Sequence, residues 1–156
     1  MGFNIAGLII KNKFENKQGI ETILNSKLKY STDIGFEKAA SAFREENTID
    51  ILETEYGTLI FMELGQIYDL TNTSNEIIQF MVSDVSDTYY FEKYLEGNLQ
   101  RKLITSQGEI AEDVGEGFVS EEDDLVDKIW EFTDDYLKNN FSENMFDLKF
   151  KQYQVK

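Results

Sequence analysis

The spacing of hydrophobic and polar residues changes character several times along the chain. Residues 3–10 are apolar at nearly every position over a short run, which predicts a strand buried on both faces. Asn16 is placed to cap a helix running to about Ser26, with Ile20, Ile23 and Leu24 on one side. Residues 27–31 read as a second strand. From Asp33, the residues Phe36, Ala39, Ala40 and Phe43 recur at i, i+3, i+4 and i+7, the spacing of an amphipathic helix.

The middle of the chain predicts an antiparallel meander. Residues 48–54 and 58–64 flank Tyr56-Gly57, where Gly57 is expected to supply the positive φ of a tight turn and to set Leu52 opposite Phe61. Residues 76–83 and 88–95 are rich in Ile, Val, Tyr and Phe and predict two further strands. A turn at Glu96-Gly97 would oppose Tyr94 to Leu99 and Glu92 to Arg101, and the second pair would be ionic.

The last long element is a helix over residues 121–138. Leu125, Ile129, Phe132 and Tyr136 form its apolar stripe, widened by Val126, Trp130 and Leu137. Ser120-Glu121-Glu122-Asp123 has the form of a capping box, and Asn139 and Asn140 would end the helix. Residues 145–150 suggest a short closing strand. Together these elements predict an α+β fold in one domain over residues 1–156. Its antiparallel sheet has about five or six strands, becoming mixed if the first strand pairs in parallel, with helices on one face and the long C-terminal helix over the centre.

Composition narrows the chemistry more than the fold. The chain is 41% hydrophobic and 13% aromatic, enough to build a core. It has no Cys and no His, which removes disulfides, thiolate nucleophiles, Ser-His-Asp and Cys-His catalysis, and zinc or haem sites built on those ligands. Carboxylates, Lys, Tyr or a carboxylate-bound Mg²⁺ remain as catalytic means. The longest apolar run, residues 5–10, is far short of the roughly 18 residues that span a bilayer. The start lacks the basic segment of a signal peptide, so a cytoplasmic address is expected.

The formal charge is −15 and is unevenly placed: residues 106–135 hold twelve acids against Lys128. Such a field repels phosphate, so neither nucleic acid nor an anionic membrane is expected as a partner, and a basic protein is. The densest stretch runs from Glu109 to Asp124. Within it Glu112, Asp113, Glu116, Glu121, Glu122 and Asp124 are the candidate contact residues for that partner. The four acids from Glu121 also suit a first helical turn, where they meet the positive end of the helix dipole. No EF-hand loop can be drawn: from Asp113 the third and fifth positions are Gly115 and Gly117, and from Asp123 the sixth, where the loop needs Gly, is Lys128. Gly115, Gly117 and Ser120 imitate a dinucleotide fingerprint only superficially, because acids surround the loop. No metal or cofactor is expected.

Tyr89, Tyr90, Phe91 and Tyr94 form an aromatic run whose alternation puts Tyr90 and Tyr94 together on one face, as further candidates for a protein or sugar contact. Asp84 and Asp87 lie in the link before it, where turn chemistry accounts for them but a carboxylate pair is also conceivable. The leading expectation is a non-enzymatic acidic module binding a basic protein. The analogy in charge and size is to toxin-neutralising immunity proteins, inhibitors and nucleic-acid mimics. Alternatives are a carboxylate-dependent hydrolase acting on a glycan and a structural or assembly subunit.

Overall fold

The computed structural model describes residues 3–41 and 43–156. Among these residues nine strands form one sheet: β1 (Asn4–Ile10), β2 (Leu28–Gly35), β3 (Thr48–Glu53), β4 (Thr58–Met62), β5 (Glu76–Ser83), β6 (Thr88–Leu95), β7 (Asn98–Ser106), β8 (Glu109–Gly115) and β9 (Lys149–Val155). Their order across the sheet is β2-β9-β3-β4-β1-β5-β6-β7-β8, and every pairing is antiparallel. The helices are α1 (Lys17–Leu24), α2 (Phe36–Ala39), α3 (Leu125–Leu137) and α4 (Phe141–Asn144), with a 3-10 turn at Met145–Asp147.

This overturns the expected α+β layout of five or six strands: the molecule is mostly one large antiparallel sheet, and helix makes up only 21%. Three strands depart from the expected pattern, each for a physical reason. β8 is exposed at every position, so no burial pattern marks it. β9 alternates Phe150 and Gln152 with Lys149 and Lys151, and it inserts between β2 and β3 rather than closing an edge. β7 carries an extra residue, Gln100, that breaks its alternation.

Nor do the helices share one face. α1 lays Ile20 and Leu24 on Ala6, Leu8, Ile10, Ile51, Ile60 and Ile77. On the other face α2, α3 and α4 cover Ile5, Ile9, Leu59, Phe61, Ile78, Phe80 and Phe150. β1 sits at the middle of the sheet with helices on both sides, which is why its side chains are apolar in both directions. The aromatic centre lies under α3, where Phe61 stacks on Phe150 at 5.4 Å and Trp130 meets Phe141 at 5.3 Å.

Several local expectations also change. α1 is capped as predicted, Asn16 Oδ1 accepting from the Gln18 N–H at 2.9 Å. The helix predicted from Asp33 shrinks to the single turn α2, and Phe43 is 97% exposed. The β3–β4 turn moves back by one residue, so Leu52 faces Leu59 and Asp50 faces Phe61. The shift preserves side-chain parity, so the same residues still point into the core. Gly57 does not have a positive φ. It is required by proximity: a β-carbon there would stand 2.5 Å from the Tyr136 carbonyl oxygen and 3.0 Å from that of Ile10.

The β6–β7 turn is placed correctly, with Glu96 (φ 50°) and Gly97 (φ 81°) both left-handed as a type I′ turn needs, and Tyr94 opposite Leu99. Gln100 then bulges, so that Arg101 pairs with Lys93 and Glu92 with Lys102. The predicted Glu92–Arg101 ion pair is therefore absent. The extra residue turns Arg101 to the opposite face of the sheet from Glu92.

Candidate functional site

The helix α3 begins four residues later than predicted. Asp124 is its N-cap, accepting from the Asp127 N–H at 3.3 Å, while Asp123 Oδ2 accepts from the Ser120 N–H at 2.8 Å in a turn outside the helix. Ser120 is not the cap. Glu121, Glu122 and Asp123 consequently project from a loop, and the helix dipole explains only Asp124 and Asp127.

That loop forms one wall of a cleft of about 530 Å³, within the size range of small-molecule and peptide sites. The opposite wall is the β5–β6 link with Asp84 and Asp87. Phe3, Phe91, Leu103, Val119, Leu125 and Trp130 make an apolar floor, and Asp84, Asp87, Glu121, Asp123, Asp124 and Asp127 make the rim. Among the described residues no Lys or Arg lines it. Two acidic groups some forty residues apart in sequence thus meet over one greasy surface. Nor do the acids converge on a point: among the described residues no group of three or more could hold a metal ion. Carboxylates dispersed around an apolar floor suit several separate cations carried on one apolar body.

The walls are held from beneath. Asp84 accepts the Phe3 N–H at 2.6 Å on one oxygen and the Tyr89 hydroxyl at 2.7 Å on the other. That bond to Asp84 pushes the Tyr89 phenol up to about 12. Both Asp84 oxygens are therefore engaged in structure, and turn chemistry is the sufficient account of the Asp84/Asp87 pair. The loop wall is braced by Arg101. Its Nε donates to the Gly117 carbonyl at 3.0 Å, Nη1 to that of Val114 at 2.9 Å and Nη2 to that of Val119 at 3.2 Å, and Nη1 also pairs with Asp113.

The sequence candidates divide between different surfaces. Glu121 and Asp124 line the cleft, with Glu122 exposed between them. Glu116 lies on the same loop, over Arg101. Glu112 and Asp113 are on the edge strand β8, bonded to Lys102 (3.2 Å) and Arg101 respectively. Tyr90 and Tyr94 are on the other face of the sheet from the cleft. Their hydroxyls donate to Glu92, at 2.6 and 3.2 Å, and Gln79 Nε2 adds a third bond at 3.0 Å. Burial and the Glu92 interaction raise both phenols, Tyr94 to about 12. These tyrosines are the support of a buried carboxyl group and stand apart from the acidic site.

No sequence pattern marks Asp123, Asp127 and the apolar floor as one site. Only the crossing of the 116–124 segment from the sheet edge back to α3 brings them together, and nothing local in the sequence encodes that path. A buried ion pair joins Arg44 to Asp50 of β3, away from the cleft; burial lifts the Asp50 carboxyl to about 6 against the pull of Arg44. Among the described residues no helix is long and apolar enough to cross a membrane. Comparison with protein-family models, with curated proteins and with solved structures finds no match for this chain.

Proposed function

We propose that this protein is a non-enzymatic acidic module that engages a basic protein through the cleft, as an inhibitor or immunity protein would. The observation that carries the reading is the pairing of an apolar floor with a rim of six carboxyl groups and no cation of its own among the described residues. A partner segment with an apolar anchor between Lys or Arg side chains would bury its anchor on Leu125 and Trp130 and bring its cations to the rim. The clustered charge would speed its approach.

Glycan hydrolysis is the weaker reading. It asks for a carboxyl group raised for proton donation beside a second carboxylate. The one raised to about 6, Asp50, has no exposed surface and is paired with Arg44, while Asp84 in the cleft is fully hydrogen-bonded. The test is affinity capture from lysate of the source cell, at low and high salt, with wild type beside a Glu121→Gln, Glu122→Gln, Asp123→Asn, Asp124→Asn variant. The amides keep the cap and the turn able to accept hydrogen bonds. A basic protein held by wild type, released by salt and missed by the variant is expected. Equal capture by both proteins would refute the cleft as the site.

A further inference from the structure

We propose that the open edge of β8 is a second docking surface, which takes an extended cationic strand of the partner by main-chain pairing. This inference rests on the reading of the molecule as a binder of a basic protein, and it adds the mode of engagement. Among the described residues β8 ends the sheet and pairs only with β7, and it is exposed at all seven positions. One side of its backbone therefore presents unpaired N–H and C=O groups, the template for strand addition. Beyond a bulge at Ala111, residues 112–115 run in regular register with residues 101–104.

Charge selects the occupant. Glu109, Glu112 and Asp113 lie on this edge, which carries no Lys and, like the whole chain, no Pro. Lys102 and Arg101 pair with two of them from inside the sheet. The acids' side chains stay half exposed, at 50% and 48%, while those of Lys102 and Arg101 are 22% and 6% exposed. The outward surface is therefore anionic. A second copy of this chain is disfavoured: antiparallel pairing centred on Ala111 would set Glu109 against Asp113, and pairing centred on Glu112 would set that residue against its own copy. A strand bearing Lys or Arg reverses the sign of those contacts. The far edge, β2, makes a poorer template for such a strand. Its one acid, Asp33, is offset by Lys29, so it lacks the excess of negative charge that β8 presents.

The edge also adjoins the cleft. β8 leads through Gly115 directly into the loop that forms the cleft wall, so one partner could pair along β8 and continue over the rim.

The test uses the whole protein and a short peptide of Lys-Val-Thr repeats, which places Lys on both faces of an extended strand. Three comparison arms are a Glu-Val-Thr peptide, a Lys-Val-Thr peptide N-methylated at alternate residues, and the Glu109→Gln, Glu112→Gln protein with its fold checked by circular dichroism. Affinity is read by fluorescence anisotropy and location by amide hydrogen exchange. Expected are new protection in β8, no binding of the acidic peptide, and weakening by at least about tenfold on N-methylation, the effect of removing one or more hydrogen bonds. The protein variant should lose about tenfold, the low end of what electrostatic steering supplies. Equal binding of the N-methylated peptide, with protection at residues 84–88 and 118–127 instead of β8, would overturn the edge proposal and leave the cleft reading intact. No binding of the Lys-Val-Thr peptide would overturn it as well, whereas equal capture by wild type and the cleft variant overturns the cleft reading alone.

Discussion

Arg101 of β7 pairs with Asp113 of β8, and it does so because the Gln100 bulge turns the guanidinium away from Glu92 and under the loop that walls the cleft. The same group holds three carbonyls of that loop and its approach. Arg101→Met should therefore cost about 1–3 kcal/mol, chiefly from leaving those carbonyls without their donor, since the Asp113 carboxylate left behind is half exposed. Hydrogen exchange should accelerate over residues 114–120. Urea denaturation and exchange mapping check both, and a variant as stable as wild type would contradict the bracing role.

Gly57 is fixed by close approach. Gly57→Ala should lose about 1–3 kcal/mol through the collision of its methyl with the Tyr136 and Ile10 carbonyls. Because φ at Gly57 is not positive, backbone strain adds nothing. Chemical denaturation measures the loss.

Burial raises the Asp50 carboxyl to about 6 from its ordinary value of 3.8, so the folded state binds this proton more tightly than the unfolded chain does. Its contribution to stability is fully present below the unfolded value and is lost as pH rises through about 6. Wild-type stability relative to Asp50→Asn should therefore rise by on the order of 2–3 kcal/mol as pH falls from about 7 to about 4. Denaturation across that window, with a carboxyl-carbon NMR titration, gives the answer. A difference that does not change with pH would contradict it.

Glu92 accepts from Tyr90, Tyr94 and Gln79 and is 4% exposed. Glu92→Gln aims an amide N–H at a nest of donors and should cost about 1–3 kcal/mol. Tyr94, pushed up to about 12 by burial and the Glu92 charge, should move back toward the ordinary range. Labelled-tyrosine NMR reads the shift directly.

What was legible in the sequence followed from burial and local chemistry. β1, the β5–β6 pair, the Asn16 cap and the stripe of α3 are each written in consecutive residues. β8 was hidden because a strand exposed at every position has no alternation to read. The Glu92–Arg101 pairing failed on a single bulged residue, whose cause lies in the carbonyls waiting on the other face. The acids were visible as a run, yet the run is distributed over an edge strand, a loop and a helix cap. What makes a site of part of it is the apolar floor from Phe3, Phe91 and Trp130, three elements that only the tertiary fold assembles.

The central claim is that the acidic cleft recruits a basic protein, and the association rate of the captured complex tests it most directly. Between about 20 mM and about 300 mM salt, where the screening length shortens from tens of ångströms to several, that rate should fall by about tenfold or more. The amide variant should show a slower rate and a flatter dependence. An association rate that is the same at both salt concentrations would contradict the account.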